Sequence, residues 1–314
     1  MVPISILDLC PIVEGGSAED SFRNSLDLAQ HGERWGYRRF WLAEHHNIPG
    51  IASAATSVVI GHVAAGTKTI RVGSGGIMLP NHSPLTIAEQ FGALATLFPG
   101  RIDLGLGRAP GSDMITARAL RRENMGAAER FPEDVIELQR YFAEPQPEQA
   151  VQAVPGSGLR VPIWLLGSSL FSAHLAARIG LPFAFAAHFA PAELIPAFDL
   201  YRRNFQPSGQ LSEPYAAVCL NIIAADTDRE AQRLFTSIQQ AFLALRRGTP
   251  GRLKPPVEDF HARCSAEERL MLDQILSQAI VGSAETVSAR LRSFLEARRP
   301  DEILVTANIY DHTA

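Results

Sequence analysis

Pro162-Ile163-Trp164-Leu165-Leu166-Gly167-Ser168-Ser169 is the stretch on which the fold turns. An apolar run of strand length ends in a small turn, and an amphipathic stretch begins at once and runs to residue 179. Reading outward in both directions finds the same unit repeated. Strand-like runs at 3–9, 37–43, 70–79 and 102–106 precede it, and runs at 183–186, 215–224 and 302–307 follow. Helical patterns fill the gaps, at about 18–35, 52–65, behind Pro84, from Glu129, at 191–205, at 228–246 and behind Ser283. Pro84 suits a first helical position, and Ser283 suits an N-cap. Eight alternating units imply a parallel sheet with helices packed outside it. Over 314 residues they predict a single α/β domain, 1–314, built as a closed (β/α)8 TIM barrel. An open doubly wound sheet is the competing arrangement, and it more often divides its repeat into two halves. Insertions fall before the fifth strand, between Pro145 and Gly158, and after the seventh, over 247–282. Segments 108–130 and 247–282 are the candidate lids, since long loops in compact domains usually carry function.

Composition narrows the class further. Hydrophobic residues make up 46% and charged residues 20%, as in an ordinary globular chain. The net charge of −4 leaves no footprint for nucleic acid or for an anionic membrane. Lys68 and Lys254 are the lysines among 29 basic residues, and the rest are arginines able to fork onto phosphate or carboxylate. Cys10, Cys219 and Cys264 are far apart and odd in number, which argues against a disulfide framework and against a zinc site. No basic segment leading into a long apolar run opens the chain, and no apolar run reaches 18 residues, so a cytoplasmic protein is expected.

Barrel active sites lie at the carboxyl ends of the strands. Those ends carry a polar set: Glu44-His45-His46, Asn81-His82, Arg108, Ser168-Ser169, His188 and Asn308. Ser168-Ser169 ends a strand and starts a helix, where hydroxyls, first-turn amides and the helix dipole favour an anion. Arg108, at the end of the neighbouring fourth strand, can fork onto the same anion. Together they predict a phosphate site without a P-loop, with the ring of a phosphate-bearing cofactor over strands two and three. Gly73-Ser74-Gly75-Gly76 inside the third strand marks a bulge or a close backbone approach. Gly105-Leu106-Gly107-Arg108-Ala109-Pro110-Gly111 does not make a dinucleotide fingerprint, because its third glycine is one place late and Pro110 intrudes. His45 and His46 are adjacent, and neighbours on a strand point to opposite faces, so no metal is expected.

Several motifs in order then point to a family. Trp41-Leu42-Ala43-Glu44-His45-His46, residues 72–80, Ile87-Ala88-Glu89-Gln90, residues 100–108, Phe131-Pro132-Glu133-Asp134-Val135, Gly167-Ser168-Ser169 and residues 281–287 resemble the luciferase-like flavin monooxygenase family, nearest its single-chain, uncharacterised subgroup. The resemblance implies FMN in its reduced form, supplied by a separate flavin reductase, and O2 activated as a flavin C4a-peroxide. The substrate it implies is a small organic molecule such as an aldehyde or ketone. Carried over by motif, His45 stands near the isoalloxazine as base or hydrogen-bond partner. Gly75 and Gly76 lie under the ring, where the family often has a non-proline cis peptide. Arg108, Ser169 and Ser172 match phosphate contacts with Ser168 alongside, and Glu44, His82 and His188 fall to the substrate side. Gly107 stands where the long-chain luciferases have a reactive cysteine, so light emission is not implied. A deazaflavin-dependent dehydrogenase on the same barrel and a non-catalytic flavin-binding protein are the alternatives. Small residues at 52–65 and the following helix predict a homodimer, because small side chains let helices approach across a two-fold axis.

Overall fold

A computed structural model describes residues 2–109, 114–120, 126 and 128–313. Its strands are β1 (Ile4–Asp8), β2 (Arg39–Leu42), β3 (Arg71–Met78), β4 (Ile102–Gly107), β5 (Ile163–Gly167), β6 (Phe183–Phe185), β7 (Ala216–Ala225), β8 (Ile280–Ser283) and β9 (Glu302–Thr306). All pairings between them are parallel. The ring runs β1–β2–β3–β4–β5–β6–β7–β9 and closes on β1, which makes the eight-stranded barrel expected from the repeat. Each strand alternates between two cores. Leu7, Trp41, Trp164, Ala184, Ala217, Cys219 and Leu304 fill the barrel interior. Their neighbours, such as Ile6, Phe40, Leu42, Leu104 and Leu165, face the helices.

The helices are α1 (Ala18–Arg34), α2 (Thr56–Ala65), α3 (Pro84–Leu97), α4 (Met114–Leu120), α5 (Phe131–Phe142), α6 (Leu170–Ile179), α7 (Leu194–Asn204), α8 (Asp228–Arg246), α9 (Ala266–Ile275) and α10 (Ala284–Arg298). Pro84 opens α3, and the Ser283 hydroxyl accepts from the Thr286 N–H at the start of α10. Two elements were not expected. The first is α4, seven residues inside 108–130, where the sequence reading delayed the helix to Glu129. Residues 110–113, 121–125 and 127 of that segment lie outside the described residues. The second is β8, at the end of the 247–282 insertion. β7 is ten residues long and overshoots the barrel, so Ile222–Ala225 pairs with Ile280–Ser283. This overhang, α8 and α9 share a separate apolar cluster around Phe235, Ile238, Phe260 and Leu272. The insertion also crosses to the loop after β1: the Leu253 N–H donates to the Ile12 carbonyl at 2.9 Å, and the Glu14 N–H to the Leu253 carbonyl at 2.8 Å.

Candidate active site

β2 ends at Leu42, and the chain leaves the sheet before Glu44-His45-His46. Strand alternation therefore no longer governs these residues. Glu44 turns inward and is 1% exposed. Its carboxylate accepts from His46 Nε2 at 2.7 Å, His82 Nε2 at 2.9 Å, the Met78 N–H at 2.9 Å and Asn81 Nδ2 at 3.2 Å. Burial alone would raise its pKa, but these donors and the nearby His82 charge outweigh it and hold Glu44 at about 2. Glu44 is thus an anion near neutrality, and it ties the end of β2 to the turn after β3. The sequence order sets Glu44 beside His45, and the resemblance gives Glu44 and His82 to the substrate. In the structure His46 and His82 are its partners, and both carboxylate oxygens are engaged within the protein.

Glu44, His46 and His82 are also the one group among the described residues whose ligand atoms, all within 4.8 Å of one another, could hold a metal ion. Their spacings are those of hydrogen bonds. Ligands at about 2.0–2.1 Å from a tetrahedral zinc stand farther apart, and the Met78 N–H occupies the carboxylate as well.

In β3 the peptide Gly75–Gly76 is cis, and the β3–β4 register shifts between Gly75 and Ile77. A Cβ on Gly75 would lie 2.6 Å from Leu7 Cδ1, and one on Gly76 would lie 2.7 Å from the Gly105 carbonyl oxygen. At Gly76 the Gly105 backbone leaves no room for a side chain, and at Gly75 Leu7 would have to shift to admit one. Gly105 has a comparable cause, with the Ser74 carbonyl oxygen 2.2 Å from its Cβ position.

β5 ends at Gly167 and α6 begins at Leu170, so Ser168-Ser169 joins a strand end to a helix start. Ser169 is the N-cap of α6, extended at φ −145° and ψ 166°, and its side chain makes no capping bond. The first-turn amides of α6 are unmatched within the helix, as at any helix start. Ser172 is buried against Gly167, where an added Cβ would sit 2.3 Å from its Oγ. Ser168 is half-buried between them. Arg108 is exposed at the end of β4, and its guanidinium stacks on the Phe171 ring at 4.1 Å. Phe171 is the second residue of α6, so this contact sets the cation beside the helix start. Phe171 belongs to none of the motifs that point to the site in the sequence. An aromatic just inside a polar helix start, facing a strand that ends in arginine, is the signal that could have found it.

His45 and His188 are both half-buried at the mouth. Burial, and secondarily the charge of His45, lowers the His188 pKa to about 3. His188 is therefore neutral at any ordinary pH. Asn308, two residues past the end of β9, is half-buried.

A closed parallel barrel with an anion-ready helix start and a histidine-lined mouth belongs to a known class. Residues 4–301 match the family model described as luciferase-like monooxygenase. The chain belongs to that family of flavin-dependent oxidoreductases. It is 59% identical to the uncharacterized protein YvbT of Bacillus subtilis, over 98% of this chain and 92% of that one. It is 57% identical to a luciferase-like monooxygenase of Escherichia coli K12, over 100% and 93%. Among solved structures, apo-MsnO8 superposes with a TM-score of 0.92 at 32% identity, covering 100% of this chain and 95% of that one. Among the described residues, no helix is long and apolar enough to cross a membrane.

Proposed function

We propose that this chain is an FMN-dependent monooxygenase that uses reduced flavin and O2 to oxidise a small organic substrate such as an aldehyde or ketone. The observation that carries the reading is the pairing of Arg108 with the uncapped start of α6. A phosphate there meets a guanidinium, the free Ser169 hydroxyl and the first-turn amides, which together fit a dianion. Arg108, Ser168, Ser169 and Ser172 hold the phosphate end, and the bound flavin supplies the reaction of O2. Exposed apolar side chains at Leu170, Phe171, Phe189 and Ile195 border this mouth and suit an apolar substrate. His45 takes up or delivers the proton of the oxidation, and His188, fixed as neutral, hydrogen-bonds without competing for it. A separate reductase provides the reduced flavin.

Arg108→Ala removes a charge-assisted contact of about 1.5–3 kcal/mol and should weaken FMN roughly ten- to hundredfold. Fluorescence titration of the wild type and the variant with FMN, and in parallel with a deazaflavin cofactor, checks both the site and the choice of cofactor. Unchanged FMN affinity in Arg108→Ala, or preference for the deazaflavin, would reject the reading.

The protein is also proposed to be a homodimer through α2 and α3. Val58 and Leu97 are large apolar side chains left 71% and 70% exposed on these two helices. A shared face would remove both from water. Light scattering at micromolar concentration should return twice the chain mass, and a monomeric mass would refute the dimer.

A further inference from the structure

Among the described residues, four side-chain polar atoms are buried without a hydrogen-bond partner: Ser21 Oγ, Ser237 Oγ, His188 Nδ1 and Thr306 Oγ1. The two serines sit on the outer helices α1 and α8. His188 and Thr306 belong to the same sector of the barrel mouth. In β9 the residues Glu302, Leu304 and Thr306 share a face, and Leu304 belongs to the interior cluster. In β7 the residues Ala217, Cys219 and Asn221 share the matching face, and the first two belong to that cluster. Asn221 pairs in register with Thr306. Thr306 and Asn221 therefore form the last interior layer, directly above Leu304 and Cys219. On the other side of β7, Asn221 Nδ2 donates to the His188 main-chain carbonyl at 2.6 Å and anchors the turn that follows β6.

Thr306 is only 2% exposed, and valine has the same shape. A hydroxyl sealed from water with nothing to bond is unfavourable, and buried polar groups are nearly always matched. Two such atoms on one short arc of the mouth have a common explanation in a ligand that supplies the missing partner. We propose that Thr306 and His188, held in place by Asn221, form a hydrogen-bonding subsite for an uncharged carbonyl group of the bound ligand.

The chemistry selects the neutral group. None of the three side chains carries charge near neutrality, since His188 ionises only near pH 3. A carboxylate or phosphate finds its counter-charge at Arg108, just past β4, and not on the β6–β7–β9 arc. This inference rests on the flavin-monooxygenase reading, in which both a flavin ring and an aldehyde or ketone substrate present such a carbonyl.

The test uses the full chain as wild type, Thr306→Val and Thr306→Ser. Each is titrated with FMN by quenching of tryptophan fluorescence. The FMN-loaded protein is then titrated with octanal and with octanoate, followed by the flavin absorbance. Thr306→Val should keep or raise the melting temperature of the free chain, because its hydroxyl has no protein partner to lose. It should weaken one ligand roughly two- to tenfold, and Thr306→Ser should restore most of that. A loss confined to FMN assigns the carbonyl to the ring, and a loss confined to octanal assigns it to the substrate. Unchanged binding of both overturns the proposal, as does a fall in melting temperature, which would reveal a protein partner for the hydroxyl. Tighter binding of octanoate than of octanal overturns the preference for an uncharged group. A wild-type chain that bound no FMN would reject the flavin reading separately, and Thr306 would then be judged on octanal binding to the free chain.

Discussion

His45→Ala is expected to leave FMN affinity within a few-fold of wild type while turnover falls about 10²–10⁴-fold, the usual worth of a positioned acid or base. The expectation follows from how five mouth residues divide their work. Glu44 is fixed as an anion by His46, His82, the Met78 N–H and Asn81. His46 and His82 each commit Nε2 to it, which makes them braces for the turn. His188 is held neutral down to about pH 3 and cannot trade a proton near neutrality. In the proposed mechanism His45 carries the proton transfer. The proposed phosphate contacts, at Arg108 after β4 and at the start of α6, lie away from the end of β2, so affinity should survive its removal. Single-turnover mixing of reduced, FMN-loaded protein with O2 and an aldehyde should place the loss in the oxidative half-reaction. Normal turnover, or flavin release ahead of any loss of rate, would make His45 a packing or binding residue and move the proton chemistry to another group.

The barrel was legible because its signal is local and repeated. Each strand is a short apolar run, each polar tip falls at its carboxyl end, and Pro84, Ser169 and Ser283 punctuate the helices where expected. That Arg108 stands beside the start of α6 was legible for a related reason: fourth and fifth strands must be neighbours in a closed parallel ring. What escaped were features set by tertiary contact. β8 exists because β7 overshoots the ring, and nothing in Ile280-Val281-Gly282-Ser283 announces the partner it finds. The partners of Glu44 could not be chosen from sequence, since His45, His46 and His82 compete for it and the chain has left strand geometry by then. The glycines of β3 were visible, but their cause was not. The Gly105 backbone excludes a Cβ at Gly76, and Leu7 and Trp41 crowd one at Gly75, without help from a ligand.

The most distant contacts carry the second large effect, at the end of the barrel opposite the mouth. Arg39, at the start of β2, is 3% exposed and lies between Asp103, at 1%, and Glu302, at 0%. Its Nη1 donates to Asp103 at 2.6 Å, and its Nε and Nη2 fork onto Glu302 at 2.7 and 3.1 Å. Arg71 Nε donates to Asp103 at 3.0 Å, the Tyr215 hydroxyl donates to Glu302 at 2.9 Å, and Ser5 donates to Glu302 as well. The Arg39 guanidinium also lies 4.7 Å from the Trp164 ring centre. Arg39→Met keeps much of the volume but strips the shared cation from two carboxylates that water cannot reach. Breaking a buried pair from one side costs about 3–5 kcal/mol, because the stranded charge is the penalty. At roughly 2–4 °C per kcal/mol, the melting temperature should fall by about 6–20 °C. Adding Asp103→Asn and Glu302→Gln to Arg39→Met should recover a substantial part, since an uncharged cluster of similar shape strands nothing. Conservation of FMN affinity in the surviving folded fraction is expected too, because this end of a barrel serves stability and the mouth serves chemistry. Thermal melts of the single and triple variants decide it. A single variant as stable as wild type would mean that the remaining partners, Arg71 on Asp103 and Tyr215 and Ser5 on Glu302, suffice for the two carboxylates.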